Sequence, residues 1–179
     1  MRLCVVSDSH RHRHELLRAV KNLQPLDAIL HAGDETTDAL WLMERVDWPV
    51  YAVAGNWDTV TPEFPLERVL DFDIRILLTH GHKQRVKDGL GVLQQRAQEL
   101  DSKVIVFGHT HKAYVTVENG RMYLNPGSLA SPRGRRERTC ALLEIEEDGK
   151  TGLVQVCASH LTVQGDILQL LRHGVWNRT

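Results

Sequence analysis

Five short polar segments constrain this chain more than anything else in it: Asp8-Ser9-His10, Gly33-Asp34, Gly55-Asn56, Thr79-His80-Gly81-His82 and Gly108-His109-Thr110-His111. Each directly follows a short apolar run of strand length, so carboxylate, amide and imidazole groups are delivered repeatedly to the ends of buried strands. At such an end, residues i and i+2 of an extended chain point to the same side, which brings Asp8 towards His10 and His109 towards His111.

The runs between these segments define the fold class. Residues 2–7 read as a buried strand, and Leu16, Leu17, Val20 and Leu23 fall at helical spacing before Pro25. Residues 28–31 and 50–54 are two further strands, with a helix expected over 35–46 between them. This βα alternation places the polar segments at the carboxyl ends of successive strands, where open α/β sheets hold their ligands. The second half is richer in strands. Val69-Leu70 and residues 74–79 flank a hairpin turn, residues 86–100 read as a helix, and 104–107 lead into the last histidine segment. Asn119-Gly120 predicts a tight hairpin between 113–117 and 122–124, a second hairpin joins 140–145 to 153–158, and a short helix is expected over 166–173. There is no repeat, low-complexity stretch or linker, and 179 residues with 42 % hydrophobic content suffice for one domain over 1–179 with a sizeable core.

Composition excludes several classes. A formal net charge of -1 gives no global attraction to nucleic acid or membrane, so stable nucleic-acid binding is not expected. Cys4, Cys140 and Cys157 are odd in number and lack CxxC spacing, which argues for reduced thiols rather than a disulfide framework or zinc knuckle. No signal-like or membrane-spanning apolar stretch of about 18–20 residues occurs, so a cytoplasmic protein is expected. Edge strands in the carboxyl-terminal half leave a homo-oligomer open.

Carboxylate, imidazole and amide donors without thiolate suit hard to borderline divalent cations. Two such ions about 3.5–4 Å apart can share a carboxylate, polarise phosphoryl oxygens and lower the pKa of an attacking water. Ligand type alone does not choose the metal: Mn is taken first, with Fe, Zn, Co or Ni as alternatives. Singly, Asp8 or Asp34 after a strand reads as a helix N-cap, and Asn56 as a turn residue; the ordered set of five segments is what favours ligation.

The motifs DxH, GD, GN, HxH and GHTH, in this order over residues 2 to about 133, resemble the calcineurin-like metallophosphoesterase superfamily. The small size and Asn125-Pro126-Gly127-Ser128 are similar to its compact YfcE-like phosphodiesterase branch. The resemblance implies an α/β (α+β) fold, a two-sheet β-sandwich flanked by helices in four αββα layers. It implies that Asp8, His10 and His111 hold one metal, that Asn56, His80 and His109 hold the other, and that Asp34 bridges them. Asp34, Asn56 and His82 are the expected catalytic groups, and a small phosphodiester, cleaved by in-line attack of a metal-bridging hydroxide, is the expected substrate.

One departure stands out. Many members of the superfamily carry a histidine after Gly-Asn that can protonate the leaving oxygen, whereas this chain has Trp57 before Asp58. That predicts leaving groups needing little protonation, or help from His10, His12 or His82. Trp57 could stack on a base or aryl group or simply pack. The segment 131–138 concentrates positive charge, and Arg133 or Arg135 in it could grip a phosphate or lie in a solvated loop. His31 reads as a packed structural residue, His82 as a phosphate contact or a turn cap, and His12, His14, His160 and His173 as surface residues. The alternatives are a phosphomonoesterase or protein phosphatase, and an interaction scaffold of the same fold that has lost catalysis, against which the intact ligand set speaks.

Overall fold

The computed structural model describes the backbone of residues 1–177 and the side chains of these residues except 170–175. In chain order the elements are β1 (Arg2–Val6), α1 (Arg13–Asn22), β2 (Ala28–His31), α2 (Thr36–Met43), β3 (Val50–Ala52), β4 (Glu67–Asp71), β5 (Arg75–Thr79), α3 (Gly91–Glu99), β6 (Val104–Val106), β7 (Ala113–Glu118), β8 (Arg121–Pro126), β9 (Thr139–Glu147), β10 (Leu153–Thr162) and β11 (Ile167–Asn177). They form a six-stranded sheet in the order β11-β10-β9-β1-β2-β3 and a five-stranded sheet in the order β4-β5-β6-β8-β7.

Strand alternation sorts the side chains into layers. Leu3 and Val5 of β1 point inward, against Ile76 and Leu78 of β5 and Val104 and Val106 of β6, and build the core between the sheets. Cys4 and Val6 point outward and bury Leu16, Ala19 and Val20 of α1 with Leu42 of α2. On the far side, Leu77, Ile105 and Tyr123 face Leu93 and Ala97 of α3. The architecture is therefore helix, sheet, sheet, helix, as expected.

Each sheet contains a run of three parallel strands, β1-β2-β3 ending at an edge of the six-stranded sheet and β5-β6-β8 at the centre of the five-stranded one. The loops leaving the carboxyl ends of these six strands meet along one edge of the sandwich. That edge carries all five polar segments.

Two expectations are corrected. Residues 166–173 are not a helix: Ile167–Asn177 pairs antiparallel with β10 after a turn in which Thr162 N donates to Asp166 O at 2.9 Å. A short apolar run does not distinguish helix from strand, and the open hydrogen-bonding edge of β10 decides it. The helix expected over 86–100 starts only at Gly91, because Gly81, Arg85 and Gly89 take positive φ values (92°, 54° and 145°) and break the preceding segment into turns. No helix among the described residues is long and apolar enough to cross a membrane.

Candidate metal centre

The extended geometry assumed for the polar segments does not hold. Strands β1, β2 and β6 stop two or three residues short of the first acidic or histidine group, and five of the seven candidate ligands have left-handed backbones: Asp8 (φ 51°), His10 (38°), Asp34 (57°), His109 (67°) and His111 (59°). Non-glycine residues adopt this region infrequently, and strained conformations concentrate at functional sites. Its effect is to fold the chain back at each segment: Asp8 and His10 still serve one position, as expected, whereas His109 and His111 serve two. Neither Asp8 nor Asp34 caps a helix, since the N-cap positions of α1 and α2 are His12 and Glu35.

Two groups of ligand-type atoms result, each with its members' donor atoms within 4.8 Å of one another: Asp8, His10, Asp34 and His111 in one, and Asp34, His80 and His109 in the other. Asp34 belongs to both. His109 and His111, expected to converge, part into separate groups. Asn56 joins the second through its Oδ1, 3.2 Å from His80 Nε2.

Hydrogen bonds fix which imidazole nitrogen faces inward. His80 Nδ1 lies 2.7 Å from the Ala32 carbonyl and His111 Nδ1 lies 2.9 Å from the Ser131 carbonyl. A carbonyl only accepts, so each Nδ1 carries the proton and the neutral ring turns a bare Nε2 lone pair into the site. His80 Nε2 then faces Asp34 Oδ2 at 3.3 Å, and His111 Nε2 faces Asp8 Oδ1 at 3.1 Å. Asp8 Oδ1 is buried and accepts no hydrogen bond. Acceptor opposite acceptor at these distances requires a proton or a cation between them. The residues fit divalent cations on this observation and on donor type.

The protonation preferences share that origin. Burial opposes charging Asp34, but the hydrogen bond and charge of His80, with the Trp57 N–H donated to Oδ1 at 3.1 Å, hold its carboxyl at about 2. Burial works against protonating His80, yet Asp34 and Asp8 raise its pKa above the usual histidine value. The His111 pKa is raised by its pairing with Asp8. His109 goes the other way, to about 4, through burial and the charges of His80 and Lys87. It is a neutral donor at physiological pH.

Close approach explains two of the glycines. A Cβ on Gly55 would fall on Asp34 Oδ1, and one on Gly108 would fall on Ser7 Oγ beside Asp8. Asp58 Oδ2 accepts from Gly55 N (2.8 Å) and its Oδ1 from Thr36 N (2.7 Å), tying the Asn56 loop to the start of α2.

Several supporting residues had no signal in the pattern of strand-end motifs. Ser7 Oγ donates to Asp8 Oδ2 at 2.6 Å, and His109 N donates to the same oxygen at 3.1 Å. Ser128 Oγ donates to Asp8 O at 2.9 Å, and Asn125 Nδ2 to Gly108 O at 2.7 Å. Behind the first group, Gly33 N donates to His31 Nδ1 (3.3 Å), His31 Nε2 to Ser9 Oγ (3.2 Å), and Ser9 Oγ to Asp38 Oδ2 (2.8 Å). This chain pins the segment between Asp8 and His10 and gives His31 the packed role expected of it. His160 is a correction: it is fully buried, not at the surface, with Nε2 donating to Asn125 O at 2.7 Å. Its position in the alternating strand β10 points it inward. His12 is half-buried and His14 exposed, while the side chain of His173 lies outside the described residues.

His82 stands beside the second group, its ring 5.4 Å from that of His80 and 6.2 Å from that of His109, with Nδ1 buried and unpartnered. Burial and the neighbouring His80 lower its pKa. Trp57 is 75 % exposed, with its ring edge-on to His10 at 5.9 Å. The arginine-rich segment divides: Arg138 Nη1 lies 3.5 Å from Glu15 Oε1, whereas Arg133 donates its backbone N–H to His111 O at 2.9 Å and lines a cleft beside the site.

Comparison with known proteins shows the family. Residues 1–148 match the calcineurin-like phosphoesterase superfamily domain, and the chain belongs to that family. It is 36 % identical over 153 residues to the probable metallophosphoesterase YsnB of Bacillus subtilis, covering 84 % of this chain and 88 % of that protein. It is 29 % identical over 110 residues to the Escherichia coli phosphodiesterase YfcE, covering 57 % and 56 %. Among solved structures, a predicted phosphoesterase from Streptococcus pneumoniae superposes with a TM-score of 0.76 at 27 % identity, over 96 % of this chain and 97 % of that one. Vps29 of Entamoeba histolytica, in a single-mutant form, gives 0.75 at 22 % identity, over 97 % and 100 %, and shares the fold.

Proposed function

We propose that the protein is a hydrolase of phosphodiesters whose centre takes two divalent cations, manganese first among them. The observation that carries this reading is the pair of imidazole lone pairs, on His80 and His111, held opposite the carboxylate oxygens of Asp34 and Asp8. When bound, the cations polarise the phosphoryl oxygens and bring water towards its anionic form near neutral pH.

The chain's own groups do the rest. Asp8, His10 and His111 would hold one ion, His80, His109 and Asn56 the other, with Asp34 common to both. Hydrogen bonds donated by Nδ1 of His80 and His111 to the Ala32 and Ser131 carbonyls keep the two rings aimed, so little reorganisation is needed when substrate arrives. His82, neutral at physiological pH, donates a hydrogen bond to a phosphate oxygen rather than storing a proton for the leaving group. Trp57 offers a flat apolar face at the mouth of the first group, and Arg133 a guanidinium beside His111. The likeness to YfcE over part of the chain supports a diester over a monoester.

The test is turnover of bis-p-nitrophenyl phosphate and p-nitrophenyl phosphate by metal-stripped protein with Mn²⁺ restored, alongside Asp34→Asn. Diester cleavage that needs metal and vanishes in the variant is expected. Inactivity on both esters with every divalent metal tried would transfer the reading to an interaction module of this fold.

A further inference from the structure

Beside the ligand groups lies a cleft of about 270 Å³ whose lining, Arg133 apart, the proposed hydrolytic centre does not use. Its floor is apolar, built by Val86, Leu90 and Phe107, the first and last of which are almost fully buried. Its rim is cationic, with Lys87, Lys112 and Arg133, and no acidic side chain lines it. Tyr114, 39 % exposed, forms one wall.

The rim charges are not neutralised by carboxylates, a state they share, among the described residues, with Lys21, Arg68, Lys83, Arg135, Arg136 and Lys150, but they alone gather around one apolar hollow. Eleven other lysine and arginine side chains, among them Arg2, Arg13, Arg96 and Lys103, make ion pairs. Among the described residues, none of Lys87, Lys112 and Arg133 does. In a chain whose formal net charge is -1, three unpaired cations around one apolar hollow form a local anion-attracting field.

The cleft also opens onto the chemistry. Thr110, between His109 and His111, lies on its wall, and Arg133 is anchored by its backbone to His111 O. The charge of Lys87 reaches His109, and that of Arg133 reaches His111. The hollow is therefore within reach of a substituent on a phosphorus held between the two ligand groups.

We infer that the cleft is a specificity subsite for the non-reacting part of the substrate, selecting phosphodiesters that carry a flat apolar ring and a further phosphate. The ring lies on Leu90 and Tyr114, and the second phosphate meets the Lys87, Lys112 and Arg133 rim. Drug-sized ligand sites span about 300–1,000 Å³, so this one accommodates a single ring system with its phosphate rather than a second nucleotide. Thr110 is the only uncharged polar side chain on the lining apart from the Tyr114 hydroxyl, so the edge of the ring is read weakly and the further phosphate dominates selection. The inference rests on the phosphodiesterase reading for its substrate, but not for its binding test.

The experiment compares the p-nitrophenyl ester of thymidylate with the same ester phosphorylated on its remaining sugar hydroxyl, each within the same Mn²⁺-loaded preparation. Wild-type protein should show a KM about tenfold lower for the phosphorylated ester, the scale of a few exposed charge contacts. That ratio should fall to near one in Lys87→Gln/Lys112→Gln, and return in Lys87→Arg/Lys112→Arg; because the ratio is internal to each preparation, a general loss of activity cancels. Calorimetric binding of thymidine bisphosphate against thymidylate supplies the readout that needs no turnover, and the preference should again vanish in the glutamine variant. Turnover of bis-p-nitrophenyl phosphate with no advantage from the extra phosphate overturns the subsite and leaves the phosphodiesterase reading intact. Absence of all turnover, with a bisphosphate preference that the glutamine variant abolishes, keeps the subsite and overturns that reading instead.

Discussion

The two ligand groups share Asp34 but are built from different materials. The first has two carboxylates, Asp8 and Asp34, with His10 and His111; the second has Asp34 alone, with two imidazoles and the Asn56 amide nearby. Divalent cations bind more firmly where anionic oxygens are more numerous, so the first position should fill first and empty last. Asp8 is also the better braced, by Ser7, His109 N and Ser128. The second position relies on His80, clamped to the Ala32 carbonyl, and on a loop tied back by Asp58. On the two-cation proposal, one edge of the sandwich would offer a tight ion site and a looser one, joined by the buried carboxylate of Asp34.

Removing the shared group tests the comparison most severely. Asp34→Asn should lower kcat/KM by about 10³ or more and deplete both positions, the second first, since an amide forfeits several kcal/mol of charge stabilisation. Elemental analysis that finds two ions still bound, with activity retained, would remove Asp34 from the centre.

The glycines separate the positions. Gly108→Ala pushes on Ser7 and Asp8 and should disturb only the first, whereas Gly55→Ala pushes on Asp34 and should disturb both. Each is expected to cost about 10² in rate, the usual consequence of misplacing a reacting group by about 1 Å. Titrating Mn²⁺ into each variant distinguishes them; identical loss patterns would dissolve the asymmetry between the groups.

Asn56→Ala should weaken the looser position by at least about 10–100-fold, the range seen when even an orienting partner of a metal ligand is lost, and spare the tighter one. Equal weakening of both on competition with a chelator would contradict the assignment of Asn56 to the second group.

Protons compete with the ions at one histidine in each group. His80 and His111 have raised pKa values, so in metal-free protein they hold protons to higher pH than a free histidine. Metal binding must expel them, and apparent affinity should climb with pH until both are neutral, with about two protons released near pH 6 when both positions fill. The sign reverses for the metal-free fold. Groups with raised pKa stabilise it below the unfolded histidine value and cease to as pH passes their folded values, while the Asp34 contribution, with its pKa at about 2, is lost only as acid approaches that value. Thermal melting with and without Mn²⁺ across pH 5–8 should therefore show opposite trends, and parallel trends would refute the proton-for-cation exchange.

His82 should matter least. With its pKa lowered it is a weak proton store, and His82→Ala should alter kcat less than tenfold, well short of the 10²–10⁴ of a placed general acid. A steepened dependence on leaving-group pKa in that variant would restore it as the acid that Trp57 displaces.

Much of the fold follows from local pattern. The short apolar runs of β1, β2 and β6, the leucine spacing of α1 and the Asn119-Gly120 turn each specify their element through nearest-neighbour stereochemistry. So does the delivery of Asp8, Asp34, His80 and His109 to strand ends. The terminal strand β11 and the late start of α3 were not legible, because open edges and positive-φ turns outweigh the propensity of a short apolar run.

Within the site, the sequence determined which kinds of donor are present and on which loops, since ligand chemistry is a property of residue type. Only the tertiary structure decided how they combine. Left-handed backbones keep Asp8 and His10 in one group but send His109 and His111 to different ones, and carbonyls brought from Ala32 and Ser131 choose which nitrogen of His80 and His111 faces inward. The apolar cleft with its cationic rim is likewise invisible in the chain, because Lys87, Lys112 and Arg133 become one surface only when the loops after β5, β6 and β8 pack together. Distances across a fold depend on the closure of both sheets, which no local stretch of residues specifies.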